Sequence, residues 1–257
     1  MRSVKLLTLS LVLSAVTGAQ AATSEWTKTP GGMVRIILED TKSGEEQRGA
    51  LQIDLNPGWK TYWRNPGDAG VPPQINVEGA ASARIDFPTP VYFGEGEESG
   101  IGYKKSVSLP LTFTTQPGEN RLKGHVFLGV CDKICIPVQA EFDFMLHETE
   151  EQSPQVIASR TIIQTAFDRL PDAASGDFGV KSAKRADNKA IFEIALPDMT
   201  APAELFVGSD QLELSEAKAE GQSRFTAMLY SEAKKDALID YTLVQNGQAV
   251  SGQVRLD

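Results

Sequence analysis

The chain has little of what most catalytic or binding chemistry needs. Its 257 residues include two cysteines and two histidines. Two histidines with no serine or cysteine motif beside them give no grounds for an acid–base or hydrolytic centre. Two cysteines exclude the disulfide-dense scaffolds of small secreted domains. Positive charge is short as well: 25 Lys and Arg face 34 Asp and Glu, for a net charge of −9. That deficit argues against nucleic acid or anionic lipid as a partner, because clustered cations hold both. The acidic residues are dispersed, as on a solvated surface. Beyond the first 21 residues no apolar run approaches the roughly 20 residues that span a bilayer, so no membrane insertion is expected.

Those first 21 residues form a pattern of their own. Arg2 and Lys5 make a short positive start, Leu6 to Val16 are apolar except for Thr8, Ser10 and Ser14, and Ala19-Gln20-Ala21 reads as a small-residue cleavage site. The order is that of a secretory signal peptide cleaved near Ala21. The expectation is an exported, soluble protein of the bacterial periplasm type. The roughly 236 remaining residues suffice for one large or two ordinary domains without covalent help.

Most of this mature sequence reads as strands. Val34, Ile36 and Leu38 recur at every second position, as do Leu51, Ile53 and Leu55. Val107 to Phe113 and Val138 to Leu146 repeat the period of two, which predicts half-buried antiparallel strands. Turn formers separate the runs: Gly31-Gly32, Ser43-Gly44, Asn56-Pro57-Gly58, Asn65-Pro66-Gly67-Asp68 and Gln116-Pro117-Gly118. One segment differs. Ser153 is placed to cap a helix with Pro154 at its first position, and Ile163, Ala166, Phe167 and Leu170 fall on one face. Pro171 ends it, and residues 172–176 read as a linker. Strands then resume at Phe192–Leu196, Leu205–Val207, Phe225–Leu229, Leu238–Val244 and Val250–Leu256, with Asn246-Gly247 as a hairpin signal. The prediction is an all-β chain: a sandwich module over residues 22–150, a helical linker over 151–174, and a second sandwich module over 175–257.

The cysteines, Cys131 and Cys135, stand in strand-like surroundings. On one straight strand they would lie about 13 Å apart, whereas a disulfide needs Cα atoms within about 7 Å. Either no bond forms, or Asp132-Lys133-Ile134 turns the chain. Gly129 before and Pro137 after disfavour a helix. Three readings compete. A structural staple closing so short a loop contributes only about 2 kcal/mol. A redox pair would cycle between dithiol and disulfide. A soft-metal site would hold Cu(I) or zinc on the two thiolates, but zinc wants four ligands, and His125 and His147 sit at no standard spacing. The setting is not that of thioredoxin, whose cysteines begin a helix that favours the thiolate. Here an alternating strand follows. Lys133 favours a thiolate and Asp132 opposes it.

Four stretches carry a family resemblance. Phe127 to Pro137 (FLGVCDKICIP) resembles the cysteine segment in the periplasmic N-terminal domain of DsbD-type thiol:disulfide interchange proteins, especially the branch of the suppressor-of-copper-sensitivity B proteins. Gly58 to Asp68 (GWKTYWRNPGD), Phe87 to Pro90 (FPTP) and Gly102-Tyr103-Lys104 agree with it, in order. The resemblance implies an immunoglobulin-like sandwich that takes electrons from a membrane-embedded thiol reductase domain and passes them to periplasmic thioredoxin-fold clients. Cys135 matches the cysteine that forms the mixed disulfide, and Cys131 the one that resolves it. The loop from Ser99 to Tyr103 falls where the family has a cap, which makes Ile101 and Tyr103 lid candidates, with ordinary packing as the alternative. Tyr62 and Arg64 are candidate site-lining residues, and Trp63 reads as core. No cofactor is implied beyond the disulfide itself, with Cu(I) on the same thiolates as the alternative. The cysteines stand closer than in the best-known family domain, with three residues between them. The sequence ends at Asp257 without the membrane and thioredoxin domains usual in the family, so a separate donor protein is expected.

Overall fold

Alternation along the chain pays off as two pairs of facing sheets. The computed structural model describes residues 23–39, 46–67, 70–94, 99–146, 154–231 and 236–257. The signal-peptide pattern, Ser43-Gly44, Asp68, His147 and the Ser153 cap lie outside them.

The N-terminal strands are β1 (Thr27–Thr29), β2 (Gly32–Leu38), β3 (Glu46–Leu55), β4 (Lys60–Tyr62), β5 (Gln74–Val77), β6 (Ser82–Ile85), β7 (Val91–Phe93), β8 (Gly100–Tyr103), β9 (Val107–Thr114), β10 (Arg121–Cys131) and β11 (Cys135–Met145). One sheet runs β1-β2-β3-β9-β6, and the facing one runs β11-β10-β4-β8-β7 with β5 also on β10. The inward residues close one core: Ile36, Leu51 and Leu109 from the first sheet meet Leu122, Val126 and Ala140 from the second, all fully buried. This is the outcome that period-two alternation dictates.

Helix α1 (Pro154–Asp168) starts at the predicted proline. Ile163 and Ala166 bury against Ile37 and Ala50 on the outer face of the first sheet, and the Arg48 guanidinium lies 4.2 Å from the Phe167 ring centre. The helix is therefore docked on a sheet, and Leu170 falls beyond its last turn. The expected linker also differs from expectation in part, since Asp172 and Ala173 form a short strand beside Val250 and Ser251.

The remaining strands are β12 (Asp172–Ala173), β13 (Gly179–Ala186), β14 (Lys189–Ala195), β15 (Ala203–Gly208), β16 (Lys218–Ala219), β17 (Arg224–Met228), β18 (Leu238–Gln245) and β19 (Gln248–Arg255). They form the sheets β12-β19-β18-β15 and β13-β14-β17-β16 around a second core that includes Phe192, Leu205, Ile239 and Leu243. Asn246 and Gly247 turn the β18–β19 hairpin with φ of 51° and 76°, the left-handed pair that a two-residue turn of this hand requires.

Candidate functional site: a disulfide at a hairpin tip

The longest pairing among the described residues delivers the cysteines. Strands β10 and β11 stay in register from Arg121↔Met145 to Cys131↔Cys135. Asp132, Lys133 and Ile134 make the bend that the sequence required for a bond. The Cα atoms of Cys131 and Cys135 come to 4.1 Å and the sulfurs are bonded. The two ends of this disulfide have different surroundings. Cys131 is 2% exposed. Cys135 is exposed, and its neighbour Ile134 is 69% exposed.

The burial of Cys131 has identifiable causes. It clusters with Tyr62 and Phe93, whose rings sit 5.7 Å apart. Tyr62 arrives on β4, which pairs with β10 beside the hairpin tip at Thr61↔Val130 and Lys60↔Cys131. The buried Thr61 hydroxyl donates to the Gly129 carbonyl at 2.8 Å and fastens this edge. Phe93 arrives on β7, two strands away through β8. The approach of β8 to β4 depends on Gly102, because a Cβ there would run into the Thr61 carbonyl. The Lys60 ammonium lies 5.2 Å from the Phe93 ring centre and completes the cover.

Tyr62 also touches the other sulfur. Its hydroxyl lies 3.4 Å from Cys135 Sγ. A disulfide sulfur has no proton, so in this state the phenol donates. Burial pushes the Tyr62 hydroxyl above its ordinary pKa, which keeps the donor protonated where thiols titrate.

The other site candidates lie elsewhere. Ile101 is fully buried in the first core, bonded through its backbone to Trp63 and Pro66. Tyr103 belongs to the same core and donates its hydroxyl to the Pro88 carbonyl at 2.8 Å. Burial raises its pKa strongly, against a lowering effect of Arg64. Both residues thus pack inside the sandwich instead of over the sulfurs. Arg64 points toward the C-terminal sheets and pairs with Asp240 at 2.6 Å. Trp63 is core, as read, at 1% exposure. Sequence reasoning missed Phe93. A three-residue strand shows no period, and only the chain's return past β8 brings it to Cys131.

No group of three or more His, Cys, Asp and Glu side chains that could hold a metal occurs among the described residues. Nor is any helix among them long and apolar enough to cross a membrane.

Comparison with known proteins agrees with this geometry. The N-terminal periplasmic domain of ScsB from Proteus mirabilis superposes with a TM-score of 0.71 over 92% of this chain and 98% of that one, at 20% identity. A likeness at that identity establishes a shared fold. The N-terminal Ig1-2 module of the Drosophila receptor protein tyrosine phosphatase DLAR covers 86% of this chain and 96% of that one at 7% identity, but its TM-score of 0.22 is too low to argue from. No curated protein matched. Residues 34–147 match the family described as thiol:disulfide interchange protein DsbD, N-terminal. That span contains the hairpin, both cysteines and the Tyr62–Phe93 cover. Residues 34–147 therefore resemble the DsbD N-terminal family, which supports a thiol–disulfide interchange module with an immunoglobulin-like fold and its disulfide at Cys131–Cys135.

Proposed function

We propose that this protein relays reducing equivalents in the periplasm, from a membrane-embedded thiol reductase domain to oxidised thioredoxin-fold clients. The supporting observation is the asymmetry of the disulfide, with Cys135 exposed and Cys131 at 2%. A staple needs no exposed sulfur, whereas an exchange centre needs one that a partner can reach.

In the reduced form the Cys135 thiolate attacks a client disulfide. A bond forms between Cys135 and one client sulfur, and the other client sulfur leaves and takes up a proton. The Cys131 thiolate then attacks Cys135 Sγ, and the second client thiol departs. Two electrons and two protons have passed to the client, and the Cys131–Cys135 bond has formed. A donor dithiol reverses these events on this protein. Tyr62 lies where its hydroxyl donates to Cys135 and favours the thiolate over the thiol. The exposed Ile134 beside it offers an apolar contact to a partner.

The test is trapping in whole periplasm. Cys131→Ala should accumulate mixed disulfides through Cys135, visible as thiol-sensitive bands on a non-reducing gel, and Cys135→Ala should not. A Cys131→Ala protein that traps nothing would overturn the relay. Tight Cu(I) binding by the reduced protein, lost in either variant, would move the assignment to a copper-binding or copper-tolerance module on the same thiolates.

A further inference from the structure

The cover over Cys131 is held from behind by the C-terminal sheets. Two segments supply that cover, and each presses its adjoining residues on the second sandwich. On β7 the side chains alternate. Phe93 faces Cys131, while Tyr92 stacks on Phe206 with ring centres 4.5 Å apart. The Tyr92 hydroxyl donates to the Leu205 carbonyl at 2.9 Å. At the end of β4, Tyr62 faces the sulfurs, and the next residue, Trp63, packs edge-on against Phe206. Asn65 follows, its Nδ2 donating to the carbonyls of Val207 at 2.8 Å and Leu214 at 3.1 Å. Phe206 comes from β15, yet it is fully buried in the core of the first sandwich. The seam between the sandwiches thus lies one residue behind the disulfide cover on both strands.

We infer that the second sandwich directs the chemistry to Cys135. By clamping Asn65 and Tyr92 it keeps Tyr62 and Phe93 on Cys131, so an incoming thiolate reaches only Cys135. The new bond forms at Cys135 Sγ, the Cys131–Cys135 bond breaks, and Cys131 leaves as a thiolate that takes up a proton. Asn65 and Tyr92 are positioning residues in this scheme. The identity of the attacking thiol rests on the interchange reading, but the clamp itself is testable without any client.

The experiment uses the whole chain, reduced, with iodoacetamide as probe and mass-spectrometric mapping of each cysteine. Asn65→Asp keeps the Oδ1 that accepts the Gly67 N–H at 3.2 Å but sets a carboxylate against two carbonyls. Tyr92→Phe keeps the ring and removes one hydroxyl. In the wild type, Cys135 should be alkylated well before Cys131. In the double variant the Cys131 rate should rise about tenfold or more, as expected from losing three net hydrogen bonds, while the Cys135 rate stays as it was. Should the double variant not fold, Tyr92→Phe alone should give a smaller rise of the same kind. Phe225→Leu serves as a control, since it disturbs the second core from β17, in the sheet that does not carry β15. An unchanged Cys131 rate in the seam variants, or an equal rise in Phe225→Leu, would overturn the clamp. Failure to trap clients would overturn the relay and leave this result standing.

Discussion

Replacing Tyr62 by Phe removes one oxygen and keeps the ring on Cys131. The contact to be lost is the 3.4 Å approach of the hydroxyl to Cys135 Sγ. Hydrogen bonds to charged groups contribute about 1.5–3 kcal/mol. A long bond to sulfur falls at or below the low end, so about 1.4 kcal/mol, or one pKa unit, is the working figure. The bond favours the thiolate, so its loss must raise the Cys135 pKa. The assay is the pH dependence of Cys135 alkylation in the reduced protein. Its midpoint should move up by about one unit in Tyr62→Phe. Below the midpoint the thiolate fraction falls about tenfold, but a more basic thiolate is also more nucleophilic, so the net rate there should drop only about threefold. An unmoved midpoint, or one shifted downward, would refute the assignment of Tyr62 as a donor to the exchanging sulfur.

Other residues carry sharper structural predictions. Gly102→Ala forces a methyl into the Thr61 carbonyl and should cost about 1–3 kcal/mol, read as a lowered denaturant midpoint with an unchanged slope. Ile163→Ala opens a hole between α1 and the first sheet at a residue 1% exposed and should cost about 2–5 kcal/mol by the same measurement. Gly247→Ala must hold φ near 76°, and should cost about 1–2 kcal/mol in thermal unfolding. The Asp198 carboxyl is held below its usual pKa by hydrogen bonds from the Thr200 side chain and backbone. Its contribution is therefore present above the unfolded value of about 3.9 and lost as the pH falls through the lower folded value. Asp198→Asn should flatten that part of the acid-unfolding profile.

What could be read in the sequence followed from local geometry. Val138, Ala140 and Phe142 alternate because one face is buried and the other wet, and such strands announce themselves; Val34, Ile36 and Leu38 alternate on the core face, while the outer face carries the helix on Ile37. The bend at Asp132–Ile134 was legible because two cysteines four positions apart can bond only if the chain turns. Strand β8 was not legible: Gly100, Ile101, Gly102 and Tyr103 are all buried, so no alternation exists to see. The seam was beyond reach for another reason. Asn65 meets Val207 and Leu214 across 142 and 149 residues of chain, and nothing near Asn65 marks a partner that distant. The same holds for Arg64, a site-lining candidate in the sequence, whose charge is met by Asp240.

The central claim is that the Cys131–Cys135 bond opens and closes in exchange with another protein's thiols, through Cys135. The most direct measurement mixes the fully reduced chain, under anaerobic conditions, with an oxidised thioredoxin-fold protein of the periplasm. Acid quenching, alkylation and mass spectrometry then follow both partners over time. The account predicts one disulfide gained here for each one lost by the partner, through a transient adduct carried on Cys135. A partner that stays oxidised beside a reduced Cys131 and Cys135, or an adduct mapped to Cys131, would contradict it.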